Sequence, residues 1–400
     1  MAAAVPLTEE QIRYYRLAVH HLDHRYPAAH LQEAAGVCGL QNSPPGAWQT
    51  AMFARLTCTL TELQTALEQE KTLLQAWSYR GAPVVFPTAE SPRFLSAMEA
   101  YPGEEPWIYT RGITLALDYL GMDWAEAFAR VEEACTYLEN HTIQSKEELD
   151  RVLARQVALR LSPALRQRWE EPSLYGRPDR QTVGGAVVSF ALRPCSFRGR
   201  VVFGTRQGIH PTFTAYTRWV GGPVPGDPAV GEKMVRQFLH AYGPATRAEL
   251  TEWLGCSPAQ AKRLWSLVEK DLVPVCKQGK RAYMQEADLA AVGNARPPAC
   301  PLVLLGPHDP YLDARDRSLL VADPIRQRKV WQTVANPGVL LRNGQVAGMW
   351  KTSVYGDRLD ATLTPFAPLD ASAVEWVQEQ TADYALFKGL SPGHFTLTEP

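Results

Sequence analysis

The sequence predicts an α+β protein, with tandem winged helix-turn-helix modules followed by a β-rich C-terminal portion. Three observations carry this. A complete helix-turn-helix with a two-stranded wing can be read between Gly243 and Tyr283. The same order, helices and then a strand pair, can be read twice earlier in the chain. After Leu302 the pattern changes to short apolar strands, with Asn343-Gly344 as a hairpin turn. The boundaries expected from these shifts are residues 1–110, 111–226, 227–296 and 297–400.

In the first module, Thr8 to Leu22 has helical spacing, and Thr8 with Gln11 forms a capping box. Ala28 to Ala35 reads as a second helix ending at Gly36. The loop "GVCGLQNSPPGAW" follows, carrying the polar trio Gln41, Asn42 and Ser43. Ala47 to Leu56 and Thr61 to Tyr79 read as further helices, and Gly81 to Pro87 as a strand. In the second module, Trp124 to Asn140 is a helix, and "SKEELDRVLARQVALRL" is another, capped by Ser145 with Glu148 three positions on. Val183 to Leu192 suits a third helix, and Arg198 to Gly204 and Thr212 to Tyr216 suit strands. No exact internal repeat is visible.

The third module is the clearest. Leu250, Trp253 and Leu254 share one face of a helix over Ala245 to Leu254. Gly255-Cys256-Ser257 makes the turn, and Ser257 and Pro258 start the next helix. Ala261, Leu264, Leu267 and Val268 fall at helical spacing. Leu272 to Cys276, a Gln278-Gly279 turn and Arg281 to Met284 form the wing. A second helix of this kind enters the major groove, and a basic wing holds phosphates. Lys262 and Arg263 on that helix, with Lys277, Lys280 and Arg281 on the wing, are therefore the expected DNA contacts. The same residues also suit a helical domain that contacts protein or acts as a spacer, since fold does not fix function. The tail is expected to form a small barrel or sheet, with a closing helix from Ala371 to Gly389.

A length of 400 residues suits two to three domains, and 46% hydrophobic with 21% charged residues suits a globular chain. The net charge of -1 gives no global positive field, so any nucleic-acid contact must be a local patch. Residues 151 to 220 supply one: twelve Arg and no Lys against Glu170, Glu171 and Asp179. Arg177, Arg180, Arg198, Arg200, Arg206 and Arg218 fall in loops or at strand ends, where phosphate contacts can form. The alternative is an Arg face paired with acids elsewhere, because residues 62 to 148 are Glu-rich. The seven Cys are scattered without a CxxC, which indicates reduced thiols and no zinc site. No signal-peptide pattern and no apolar run of about 20 residues is present, so a cytoplasmic protein without membrane contact is expected. If it binds DNA, it would sit at a bacterial nucleoid, and a monomer is expected.

The sequence contains no GxSxG, Walker loop or HExxH. His20 and His24 are four apart on a predicted helix and lack a third ligand, so packing or a helix surface is the expected role. The stretch Gly306 to Ser318 gathers His308, Asp309, Asp313, Arg315, Asp316 and Arg317 after an apolar strand. It reads as a salt-bridged corner or as the flank of a site, with Asp309 the residue to test.

Five blocks in order resemble winged-helix DNA glycosylases of the AlkZ/YcaQ type. They are "LLQAWSYRGAPVVF", "GIHPTFTAYTRWV", "FLHAYGPATRAELTEWLG", "LLGPHDPYLDARDRS" and "GQVAGMWK". The resemblance runs over about residues 10 to 360. It implies tandem winged helices plus β structure forming a DNA-binding body. It also implies monofunctional excision of N7-alkylated purines or unhooking of interstrand crosslinks, with duplex DNA as partner and no cofactor or metal. The family's catalytic motif is Gln-x-Gln or Gln-x-Asp. Here it falls on "GLQNS", with Gln41 at the first position and Ser43 in place of the second Gln or Asp. The shorter, uncharged Ser43 implies weak activity, a different lesion or a third group filling in, for which Asp309 is the candidate. A non-catalytic winged-helix DNA binder is the alternative.

Overall fold

The computed structural model describes residues 4–104, 113–174, 178–207, 210–332 and 335–399. The chain divides into two compact units. One joins Met1–Ala66, Val235–Trp253 and Val268–Pro400, and the other joins Leu67–Met234 and Leu254–Leu267.

The first unit opens with the helix Glu9–Val19. The Thr8 side chain accepts from the Gln11 N–H, and the Gln11 side chain accepts from the Thr8 N–H, which completes the capping box. Ile12 and Tyr15 bury one face of this helix against Val275, Ala282 and Met284. Those three residues lie on the antiparallel pair Leu272–Lys277 and Lys280–Gln285. The pair turns at Gln278 and Gly279, both left-handed, with φ of 50° and 73°. Val5–Pro6 adds a third strand in parallel, aligned with Val275 and Cys276.

Leu17 and Leu22 enter a different core, with Val303, Leu305, Tyr311 and Leu341. This core covers part of a five-stranded sheet in the order Leu302–Leu305, Gly338–Arg342, Gln345–Tyr355, Arg358–Pro365, Ser391–Leu397. The first four strands run antiparallel, and Asn343-Gly344 turns two of them with φ of 52° and 77°. The last strand is parallel to its neighbour and was not anticipated. Its sequence, "SPGHFTL", carries a Pro and a Gly, which argue against a strand except at a sheet edge, where this one lies. Before it comes the helix Ala371–Phe387, whose Ala373, Val377 and Tyr384 pack with Trp350, Leu363 and Phe53.

In the second unit, the helices Trp124–Ala134, Lys146–Ala158 and Val183–Phe197 share a core built on Val131, Leu149, Leu153, Val187 and Leu192. Ser145 caps the second of these through the Glu148 N–H. A β-carbon on Gly184 would come within 2.1 Å of the Trp169 indole, so the Val183–Phe197 helix approaches that ring only with glycine there. The antiparallel strands Val202–Gln207 and His210–Thr214 pair next to Ile143–Gln144.

The long helix expected over Thr61 to Tyr79 is corrected. Helix Leu60–Gln64 continues through a single wide turn, Thr65–Gln69, and stops. Leu73–Trp77 is instead a strand, antiparallel to Pro83–Pro87. All five of its residues are buried, so it shows no alternation, and a short apolar run without a period fits either element. The helices and strands expected between residues 245 and 284 form as Arg247–Leu254, Pro258–Ser266, Leu272–Lys277 and Lys280–Gln285. Ser257 caps the second helix through the Gln260 N–H. That helix belongs to the second unit, where the Gln260 amide donates to the carbonyls of Met98 and Glu99. Among the described residues, no helix is long and apolar enough to cross a membrane.

Candidate active site

Gln41 ends a two-residue strand, Leu40–Gln41, inside the expected loop. Asn42 is buried, and its Oδ1 accepts from the Gly46 N–H at 2.7 Å. This ties the loop to the start of the helix Ala47–Arg55, where Gly46 adopts a φ of 92°. Gln41 is half-buried and Ser43 exposed. The Gln41 Nε2 donates to the Ser43 carbonyl at 3.2 Å, which turns the amide along the loop. The Gln41 Oε1 and the Ser43 hydroxyl make no hydrogen bond with any described residue. Each of these oxygens can accept from a water molecule without first breaking an internal bond.

The helix behind this loop is closely backed. The Thr50 Oγ1 lies 2.8 Å from the Tyr384 Oη, and a β-carbon on Gly306 would come within 2.8 Å of Thr50. At the end of the helix, Arg55 grips Asp309 with both nitrogens, at 2.7 and 2.8 Å, and both side chains are almost wholly buried. Asp309 Oδ1 also accepts from the Tyr311 N–H. The assignment of Asp309 as a third catalytic group is therefore corrected. Its oxygens are committed to a bidentate pair and a turn, which is the salt-bridged corner.

His20 donates from Nε2 to the Ala241 carbonyl and packs between the rings of Tyr242 and Tyr311. Burial, aided by the nearby Arg55 and Arg16 charges, holds its pKa well below the usual value, so it is neutral. The helix ends at Val19 and His24 pairs with Asp23, so the i, i+4 pair is not formed on a helix.

Asp316 is the centre of a second buried network. Arg16 donates to both its oxygens, at 2.9 and 2.8 Å. The Lys277 Nζ reaches Asp316 at 2.9 Å, Glu249 at 2.8 Å and the Pro244 carbonyl at 2.9 Å. Burial pushes the Asp316 carboxyl up, but Arg16 and Lys277 outweigh it and hold the pKa well below the carboxylate range. Lys277, expected at the wing tip as a phosphate contact, is corrected. It is buried, and all three of its N–H groups have acceptors within the fold.

Several other expected contacts are engaged as well. Arg263 donates to both Glu104 oxygens and lies over the Tyr101 ring. Arg198 bridges Glu99 and Glu132, and Arg200 pairs with Glu132. For Arg198 and Arg200, the Arg face paired with acids is what the structure shows. Arg180, Arg218, Lys262, Lys280 and Arg281 are exposed, and Arg206 is half-buried. Arg177 lies outside the described residues.

The sequence reading missed Arg55 and Lys388. Nothing in the local sequence marks Arg55, because its partner is 254 residues away. Lys388 ends the closing helix, where basic residues are common for dipole reasons alone.

A family model described as DNA glycosylase AlkZ-like matches residues 34–387. An interstrand DNA cross-link repair glycosylase of Streptomyces sahachiroi is 23% identical over 397 residues, covering 95% of this chain and 96% of that protein. The solved structure of the Streptomyces sahachiroi DNA glycosylase AlkZ aligns with a TM-score of 0.74 at 20% identity, covering 100% of each chain, which shows a common fold. The matched span takes in the Gln41 loop, the Arg55–Asp309 corner and the whole of the closing helix, and the chain belongs to the AlkZ-like DNA glycosylase family.

Proposed function

We propose that this protein binds double-stranded DNA and hydrolyses the N-glycosidic bond of N7-alkylated purines, crosslinked ones included. Family membership supports it, and the observation that carries it is the Gln41 amide, at the first position of the family motif, held over the loop by its Nε2 bond to the Ser43 carbonyl with its Oε1 uncommitted. An N7-alkylguanine is already cationic and leaves without strong acid catalysis. The protein has only to place a water and tolerate an oxocarbenium-like sugar. Gln41 orients that water, and Ser43 is its weaker partner. Three winged-helix modules, at residues 1–110, 111–226 and 227–296, carry the duplex ahead of the C-terminal portion at 297–400. Arg180, Arg206, Arg218, Lys262, Lys280 and Arg281 grip phosphates. The hydrolysis consumes water and calls on no cofactor.

The second reading is a DNA binder without catalysis, favoured by Ser43 where the motif has Gln or Asp. The deciding experiment is release of 7-methylguanine from labelled duplex DNA under single-turnover conditions, beside Gln41→Ala. Release lost in the variant supports the glycosylase. Salt-sensitive binding without release, from crosslinked DNA as well, supports the second reading.

A further inference from the structure

A cavity of about 170 Å³ lies within the first unit, and its lining includes Leu22, Arg25, Phe53, Leu304, Trp376 and Gln380. Local structure fixes its walls. Tyr26–Pro27 pairs in parallel with Leu56–Thr57, which holds Arg25 beside the end of the Ala47–Arg55 helix. The Cys300 N–H donates to the Asp23 carbonyl at 3.4 Å, and the Cys300 Sγ donates to the Leu302 carbonyl at 3.1 Å. These bonds bring the start of the Leu302–Leu305 strand onto one side. Trp376 and Gln380 are four apart on the helix Ala371–Phe387, so they share a face and line the cavity together.

Three polar groups in this lining have no task within the fold. The Arg25 guanidinium lies 4.0 Å from the centre of the Phe53 ring. Among the described residues, none hydrogen-bonds to that guanidinium, to the Trp376 indole N–H or to the Gln380 amide, and no carboxylate forms an ion pair with Arg25. All three edges remain accessible. Burial pulls the Arg25 pKa down and the Asp383 charge opposes it, but Asp383 stays beyond ion-pair distance. The guanidinium stays charged even so. A half-buried charge without a partner is costly, and this one stands over the apolar side chains of Leu22, Ala54 and Leu304. An anion supplied from outside would remove that cost.

The lining narrows the class of anion. A guanidinium offers two parallel N–H groups that match a planar carboxylate. A phosphate dianion would set roughly two negative charges against one cation, beside apolar walls. A cavity of about 150 Å³ holds one benzene ring, so the volume here takes a single ring with its acid group at Arg25.

We infer that this cavity binds a small aromatic carboxylate, with the carboxylate on Arg25 and Gln380 and the ring against Trp376 and the leucines. The site lies at the other end of the Ala47–Arg55 helix from the Gln41 loop. Gly46 and Phe53 are seven residues apart, which is about 10 Å along the axis. Binding there is separate from base release and needs no DNA.

The test uses the full chain without DNA. Benzoate is titrated and followed by saturation-transfer NMR. Benzamide keeps the ring without the charge, and acetate keeps the charge without the ring. Benzoate is expected to bind with a Kd of about 1 mM or tighter, and both analogues at least about 10-fold more weakly. Arg25→Gln is expected to weaken benzoate by about 10-fold or more, with thermal unfolding as the check on its fold. If that variant does not fold, the comparison of the three ligands on the wild-type chain decides alone. No benzoate binding up to about 10 mM, equal binding of benzamide or acetate, or unchanged affinity in a folded Arg25→Gln overturns the inference. Inorganic phosphate binding more tightly than benzoate overturns it too, and would make Arg25 a phosphate contact. None of these outcomes touches the glycosylase reading.

Discussion

Arg55 and Asp309, 254 residues apart in sequence, meet as a buried bidentate pair at 2.7 and 2.8 Å. The pair fastens the end of the Ala47–Arg55 helix to the turn after the Leu302–Leu305 strand. Removing one partner strands the other charge out of water. Asp309→Ala should therefore lower stability by about 3–5 kcal/mol. Urea denaturation checks this. A folded, normally stable Asp309→Ala that has lost base release would return Asp309 to the chemistry.

Ser43→Gln restores the family motif at its second position. It should raise the single-turnover rate of 7-methylguanine release on the order of 10-fold or more, since one well-placed polar group at a developing charge is worth at least that. Gln41→Ala should lower it by a similar or larger factor. A Ser43→Gln variant no faster than wild type would mean that the second position does not limit the reaction.

Neighbouring wing lysines should behave differently. Lys280 is exposed, and Lys277 is buried with three acceptors. Lys280→Ala should reduce the slope of log affinity against log salt by about 1 without changing the melting temperature. Lys277→Ala should lower the melting temperature, because Asp316 and Glu249 lose a buried partner. Titrations at several salt concentrations, with thermal melts alongside, separate the two.

Acid should destabilise the protein in two stages. His20 is held neutral in the fold, so the unfolded chain binds a proton that the folded chain does not once pH drops below about 6.5. Stability is then lost as pH falls through that value. Asp316 has a depressed folded pKa, so its contribution is complete above about 3.9, the unfolded value, and disappears as pH falls further. Melting temperature against pH should show both declines. His20→Phe should flatten the first and Asp316→Asn the second.

Features with a local cause were legible in the sequence. The caps at Thr8, Ser145 and Ser257 and the turn at Asn343-Gly344 each depend on residues within three or four positions, and all four form. Leu73–Trp77 misled because burial on every side erases the alternation that marks a strand. Ser391–Leu397 was missed because its Pro and Gly argue against a strand, and it forms only by adding to the edge that Arg358–Pro365 presents. At the candidate site, Gln41 and Ser43 could be located by resemblance. The commitments of Asp309 and Lys277 could not, because the groups that occupy them, Arg55 for the one and Pro244, Glu249 and Asp316 for the other, come from other segments. Charge alone does not distinguish a lysine that meets solvent from one that meets three carbonyl or carboxylate oxygens.

The first unit is assembled from three separated stretches of chain, which has a consequence during synthesis. At roughly 5–20 residues per second, Arg55 leaves the ribosome about 10–50 s before its carboxylate exists. The second unit has its last segment once Leu267 emerges. Throughout that interval the N-terminal helices carry an unmatched guanidinium and uncovered apolar faces. Translation speed and chaperone supply should therefore govern the yield of folded protein more than its final stability does. Stalling in the final third of the message should be more harmful than stalling earlier.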